Sequence, residues 1–386
     1  MLEIRGNCEP GFEAVRDVFA GNFERPQGVS DVGAAVALYA GRRPVVDLWA
    51  GHLDAARARP WGRDTIACVF SCTKGMAALC AHMLADRGSL DYEAPVARYW
   101  SEFAQAGKES VSVRQLMSHQ AGLPALREPL APGGIYDWDA VVTALAAERP
   151  HWEPGSAHGY HTLSFGHLVG ELVLRIDGRD LGRFFREEVA GPLGLDFHIG
   201  LGPEHDARTA ELLLPPEDST LGGISRQALG VEAESIERYD DPHLLTAPVA
   251  SSRAWRAAQI PGANGHSDAR SLARVYALLA GGGELDGVRL LGTETIARAT
   301  ENQVRGRDRT IGIATRFGLG FMLPGADAPM SIGPSESAFG HNGAYGSIGL
   351  ADTRAGIGFG YVMNQFGEPL GDRRGLDLLD AAYACL

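Results

Sequence analysis

The chain predicts an α/β fold of the α+β kind: an antiparallel sheet flanked by helices, with a mostly helical domain inserted into it. Three observations predict it. Two β-rich runs lie close together near the start, helical periodicity fills the middle, and strands followed by one helix return at the end. With 386 residues there is chain enough for one large or two interleaved domains.

The elements follow in order. Residues 11–22 have the spacing of an amphipathic helix. The runs Gly33 to Ala40 and Pro44 to Ala50, separated by Gly41-Arg42-Arg43, predict an antiparallel hairpin. A third short run, Thr65 to Phe70, leads into a helix over residues 73–87, where Met76, Ala77, Leu79, Cys80, Met83 and Leu84 keep one face apolar and Gly88 ends the pattern. Residues 112–118, 137–147, 162–176 and 179–188 also predict helices. Residues 201–265 are rich in Pro, Gly and acid, which predicts long loops around a site. Ser267-Asp268 offers an N-cap to a helix through Leu279, and Gly281-Gly282-Gly283 stops it. Strands are predicted at Phe317 to Leu323, Ala338 to His341, Ser347 to Ala351 and Gly356 to Asn364, with a closing helix over 373–385. Pairing the first and last strands in one sheet assigns residues 1–75 and 260–386 to the sheet domain. Residues 76–259 then form the mostly helical domain with long loops, and the active site falls between the two.

Composition narrows the partners. A formal net charge of −13 argues against nucleic acid or an anionic membrane surface. No basic stretch with an apolar run opens the sequence, and no apolar segment approaches the roughly 20 residues needed to span a bilayer. The expected compartment is the cytoplasm. The cysteines Cys8, Cys68, Cys72, Cys80 and Cys385 are odd in number and lack zinc-like spacing, which predicts reduced, mostly buried thiols. Of 35 basic residues only Lys74 and Lys108 are lysines. Arg cannot lose its proton at working pH and a desolvated Lys can, so a lysine kept at position 74 is informative.

Ser71-Cys72-Thr73-Lys74 carries the chemistry. A serine hydroxyl is a poor nucleophile until something takes its proton. Three residues apart at a helix start, Ser71 and Lys74 share one face. The helix N-terminus disfavours a positive charge and burial lowers a lysine pKa further, so both favour a neutral base. The Ser71 amide stands where it can donate to an oxyanion. The bland alternative is a helix cap followed by a solvated lysine. Against it, Ala67-Cys68-Val69-Phe70 precedes the serine and an apolar helix follows, which takes Lys74 into the core. Two further segments join in. Pro154 to Gly166 presents Tyr160 in a turn before a helix, where a phenol can relay a proton, although such a tyrosine often only packs. Phe339-Gly340-His341-Asn342-Gly343-Ala344-Tyr345-Gly346 is a glycine-bearing strand edge whose Ala344 N–H can complete an oxyanion hole, or a plain β-turn.

In this order and spacing the three segments resemble the serine β-lactamase and penicillin-binding-protein superfamily, most of all the family VIII carboxylesterases, which are similar to class C β-lactamases. The resemblance covers nearly the whole chain, including Val111 to Leu123 and Asn264 to Arg274. It implies a β-lactamase-like fold. It implies Ser71 as acylated nucleophile, Lys74 as base, and Tyr160 as the partner that activates the serine or protonates the leaving group, with the division of labour between Lys74 and Tyr160 open. Ser71 and Ala344 would supply the oxyanion hole, and Gln120, Thr162, His341, Asn342 and Gly343 would line the substrate. Two departures bear on the substrate. Thr162 stands where class C enzymes have Asn, and His341-Asn342-Gly343 replaces Lys-Thr-Gly, which removes a fixed charge suited to a β-lactam carboxylate.

The expectation is therefore a carboxylesterase acting on small neutral esters, with no cofactor and no metal, no nucleic-acid or membrane partner, and a homo-oligomer left open. A β-lactamase, D-amino-acid peptidase, amidase or transacylase on the same fold is the alternative, and a non-catalytic binding or scaffold protein the remote one. The Gly-x-Ser-x-Gly elbow is absent, Gly318-Leu319-Gly320 has no helix after it as a dinucleotide loop would, and His158, His161 and His167 come without a carboxylate-rich shell.

Overall fold

The computed structural model describes residues 2–26, 28–214, 247–325, 332–367 and 372–386. Strands β2 (Gly33–Ala40) and β3 (Arg43–Gly51) form the hairpin, with Gly33 opposite Gly51 and Ala40 opposite Arg43. An edge strand, β1 (Arg5–Cys8), pairs with β3 and was not predicted, because its four residues show no apolar alternation. The C-terminal strands β4 (Ala338–Asn342), β5 (Ile348–Asp352) and β6 (Ile357–Met363) complete one antiparallel sheet in the order β1-β3-β2-β6-β5-β4. The first hairpin and the last strands thus share a sheet although most of the chain runs between them.

Period-two alternation divides β2 between two cores. Ala34, Val36 and Leu38 point to the face covered by helices α1 (Glu13–Gly21) and Arg373–Ala384, through Val15, Phe19, Leu378 and Leu379. Ala35, Ala37 and Tyr39 point to the face covered by the helix Ala269–Ala280. Burying a side chain such as Leu38 contributes about 2 kcal/mol over leaving it exposed. That second helix lies very close to the sheet. A Cβ at Gly358 would stand 2.2 Å from the Ala277 nitrogen, so only glycine fits there. Asp268 caps this helix, accepting from the Ser271 amide at 2.7 Å.

The middle of the chain is helical. Helix α2 (Cys72–Asp86) was expected to be apolar on one face, but every residue from Cys72 to Leu84 is buried. It is a central helix, with α5 (Ser164–Asp177) against it and strand β4 against its start. Between these helices in sequence lie α3 (Val113–Met117), opened by a capping box between Ser112 and Gln115, and α4 (Trp138–Ala147), capped by Asp137. The helix expected over 179–188 is broken into Leu181–Phe185, a wider turn at Arg186–Ala190, and Gly191–Leu193.

Several boundaries move. The run Thr65 to Phe70 contributes only a two-residue strand, Ala67–Cys68, paired with His266–Ser267. The strand expected at Phe317 to Leu323 is instead Ala314–Phe317, paired with Val304–Arg307, because Gly318 and Gly320 turn the chain back so that Met322 bridges Gly340. Within the predicted loops 201–265 the short helices Ala247–Ala250 and Arg253–Ala257 occur, and residues 215–246 lie outside the described residues. Helix Thr293–Thr300 was not predicted. No helix among the described residues is long and apolar enough to cross a membrane.

Candidate active site

Ser71 sits at the N-cap of α2 and is 9% exposed. The residue before it, Phe70, has φ of +44°, a left-handed conformation that costs a non-glycine residue about 1–3 kcal/mol. Its surroundings hold that turn. Thr73 Oγ1 donates to the Phe70 carbonyl at 2.5 Å and accepts from the Gly265 amide at 2.8 Å. The Phe70 ring packs edge-on against Tyr345 and Phe366. The amides of Cys72, Thr73 and Lys74 donate to the carbonyls of Val69, Phe70 and Ser71, whereas the Ser71 N–H has no backbone acceptor among the described residues.

Lys74 is fully buried. Its Nζ stands 3.2 Å from Ser71 Oγ, 2.6 Å from the Thr162 carbonyl and 2.6 Å from the Gly262 carbonyl. Burial lowers its pKa well below that of an ordinary lysine. A neutral amine has two N–H donors and one lone pair. In that form the two carbonyls would take the donors and leave the lone pair for the Ser71 hydroxyl. The Gly262 carbonyl is held in place by Asn264, whose side chain bonds Ile260, Trp255 and Ala258 around that loop. The Thr162 and Gly262 contributions were missed in the sequence because a backbone carbonyl leaves no residue-type signature.

Tyr160 is buried beside both. Lys74 Nζ lies 4.7 Å from its ring centre, and the Ser71 hydroxyl acts on its phenol. Burial raises the phenol pKa, with the Ser71 hydrogen bond opposing it. The group therefore stays a neutral donor. Its ring stacks on Phe317 at 6.0 Å and touches His119 and His341. His119 Nδ1 accepts from the amide of His161, so the residues flanking Tyr160 are fixed through side chains. His119 was not predicted as a site residue.

His341 lies on β4 with Nε2 3.5 Å from the Tyr160 hydroxyl and Nδ1 2.7 Å from the Asn342 carbonyl. A carbonyl accepts only from Nδ1–H, which leaves Nε2 as an acceptor facing the phenol. Burial, aided by the nearby Lys74, lowers this imidazole to about 3, so it is uncharged at neutral pH. Gly343 brings the strand against the nucleophile segment: a Cβ there would meet the Val69 carbonyl oxygen at 2.4 Å. Ala344 follows at the start of a tight turn, Ala344–Gly346.

Ser71, Lys74, Tyr160 and His341 thus form one contact cluster, joined by Thr162 through its carbonyl. The Thr162 hydroxyl and Asn342 Oδ1 are buried with no hydrogen-bond partner among the described residues. Gln120 is not joined to the cluster by a hydrogen bond: its side chain donates to Ser118 Oγ within its own turn. No group of three or more His, Cys, Asp or Glu among the described residues is arranged to hold a metal.

A sequence model of the beta-lactamase family matches residues 24–383. The chain belongs to the beta-lactamase family. Among relatives of this beta-lactamase-family chain, the esterase/beta-lactamase LipL of Mycobacterium tuberculosis is 38% identical over 95% of the chain and 84% of its own length. The crystal structure of a family VIII carboxylesterase matches it at 44% identity and TM-score 0.89 over the whole of both chains. That of a penicillin-binding protein homologue from Caulobacter crescentus matches at 40% identity and TM-score 0.88, again over both whole chains. The likeness to family VIII carboxylesterases and the β-lactamase-like fold expected from the sequence are both present.

Proposed function

We propose that the chain is a carboxylesterase that cleaves small neutral esters through an acyl-serine intermediate, with Ser71, Lys74 and Tyr160 as its catalytic residues. One observation carries the reading: the buried Lys74 amine has its N–H directions spent on two carbonyls and its third direction on Ser71 Oγ. Ser71 Oγ–H gives its proton to Lys74 as Oγ bonds to the ester carbonyl carbon. The carbonyl oxygen becomes an oxyanion between the N–H groups of Ser71 and Ala344. The bond to the alcohol oxygen then breaks. Tyr160 gives that oxygen a proton and regains one from the Lys74 ammonium packed on its ring. Water next adds to the acyl carbon, loses a proton to Lys74, and releases the acid as Ser71 recovers its proton.

The raised Tyr160 pKa and lowered Lys74 pKa support dividing the labour this way, with Lys74 as base and Tyr160 as acid. The neutral His341 supports the substrate class, since no fixed charge at that position awaits a substrate carboxylate. Thr162, His341, Asn342 and Gly343 would line the substrate, and Gln120 would contribute from the rim. The division into a sheet domain (1–75 and 260–386) and a helical domain (76–259), with the site between them, and a cytoplasmic location belong to the same reading.

The test is a panel of p-nitrophenyl and alkyl esters run against Ser71→Ala, with mass spectrometry after a fluorophosphonate. Loss of turnover in the variant and a single adduct on Ser71 are expected. Turnover unaffected by Ser71→Ala would sink the reading. LipL carries both esterase and beta-lactamase in its name, so a β-lactamase is the second reading. Nitrocefin turnover faster than ester turnover would favour it.

A further inference from the structure

Asp308 has no exposed surface, and its carboxylate is crowded with donors. Oδ1 accepts from the amides of Tyr160 at 2.9 Å, Thr310 at 2.8 Å and Ile311 at 3.0 Å. Oδ2 shares the Tyr160 amide at 3.0 Å and accepts from the Thr315 hydroxyl at 3.2 Å. His158 Nε2 lies 2.9 Å from that same hydroxyl, so an imidazole N–H can donate to Thr315, which in turn donates to the carboxylate. The carboxylate sits in the turn between the strands Val304–Arg307 and Ala314–Phe317, and Phe317 at the end of that hairpin stacks on the Tyr160 ring at an interplanar angle of 8°. One hairpin therefore holds Tyr160 at both ends, by its amide and by its ring.

We infer that Asp308 is a positioning residue for the acid step, clamping the Tyr160 backbone so that the phenol meets the departing alcohol oxygen. The inference rests on the reading of Tyr160 as the proton donor. A buried carboxylate is an expensive anchor for one turn, and amide donors alone do not demand it. What demands an acceptor-only group is the number of donors: four N–H or O–H groups converge on two oxygens. Asparagine offers one oxygen and turns an NH2 toward donors, so it cannot keep them all. The Tyr160 amide lies against both oxygens, so whichever side the asparagine NH2 takes, it opposes the Tyr160 N–H at one of its two contacts and loosens that clamp.

A loosened proton donor has a signature that loss of stability lacks. An alkoxide needs a proton to leave, whereas p-nitrophenolate leaves as a stable anion. In Asp308→Asn, kcat/KM for an ethyl ester should fall about 10- to 100-fold, the scale of a misplaced catalytic group, while the p-nitrophenyl ester of the same acid falls by less than about threefold. Tyr160→Phe should show the same selectivity more strongly, and adding Asp308→Asn to it should change the ethyl ester no further. If Asp308→Asn does not yield folded protein, Thr315→Val, which removes one donor to Oδ2, should give a smaller shift in the same sense. Equal losses on both esters, no loss at all, or losses that multiply in the double variant would overturn the inference while leaving Tyr160 as acid. Absence of leaving-group selectivity in Tyr160→Phe itself would instead overturn the reading on which it rests.

Discussion

Lys74 Nζ faces Ser71 Oγ at 3.2 Å while the carbonyls of Thr162 and Gly262 stand nearer, each at 2.6 Å. The closer contacts define the direction of the longer one. If the amine were anchored by a carboxylate it would be an ammonium, with no lone pair for the serine. Carbonyls orient it without supplying a counter-charge, and burial lowers its pKa, which favours the neutral form.

Lys74→Arg tests the base directly. Arg keeps the reach but stays protonated in the working range, so it offers the serine no lone pair. Activity on p-nitrophenyl butyrate should fall by about 10²–10⁴-fold, the worth of a general base. Retained activity with an unchanged melting temperature would remove Lys74 from the mechanism.

The pH profile follows from the same groups. The base works only when neutral, and its pKa lies below the ordinary lysine value. kcat/KM should therefore rise with pH through one ionisation and then level off. Burial raises the Tyr160 phenol, so no alkaline decline from its ionisation should appear while the protein is folded. A bell-shaped profile whose alkaline limb disappears in Tyr160→Phe would contradict this assignment.

Thr162 tests backbone against side chain. Its carbonyl holds Lys74, and its hydroxyl has no hydrogen-bond partner among the described residues. Thr162→Ala keeps the carbonyl and removes only a hydroxyl at the proposed substrate wall, so ester turnover should fall by no more than about tenfold, the worth of one neutral hydrogen bond. A loss comparable to Lys74→Arg would show that the hydroxyl, not the carbonyl, is the functional group.

Much of this site is legible in the sequence where side chains carry the chemistry. Ser71, Lys74 and Tyr160, which the fold brings into contact, could be singled out because a serine, a rare lysine and a tyrosine are residue-type signals at characteristic spacing. The sheet was recoverable because β2 and β3 lie close together and the last strands are clear. Strand β1 was not, since an edge strand of four residues has no periodicity to detect. Helix α2 read as amphipathic because α5 and β4, which cover its remaining faces, come from far along the chain. Asp308 was hidden for a related reason. In Val304-Arg305-Gly306-Arg307-Asp308-Arg309 it reads as one acid in a solvated basic turn, and only the tertiary fold takes it under Tyr160.

Gly343 is held to glycine by space, not by its φ of −86°. In Gly343→Ala the new Cβ would meet the Val69 carbonyl oxygen at 2.4 Å and push the strand from the nucleophile. Losing one aligned oxyanion donor costs about 10²–10³-fold in kcat. A decline of that order is expected from Gly343→Ala, with a lower melting temperature. Wild-type turnover would show that the Ala344 amide does not serve the oxyanion.

His341 tests which substrates the site accepts. Its neutral imidazole stands 3.5 Å from the Tyr160 hydroxyl, on the strand that borders the nucleophile. In His341→Lys the new ammonium would bring a positive charge beside Lys74, disfavour a second one there, and move the acid limb of the pH profile to lower pH. It would also offer a donor to a substrate carboxylate. The ratio of nitrocefin to p-nitrophenyl butyrate turnover should then rise by about tenfold, roughly what one hydrogen bond to a charged group is worth. An unchanged ratio in a folded variant would mean that this position does not face the substrate, and the neutral-ester preference would have to come from elsewhere in the pocket.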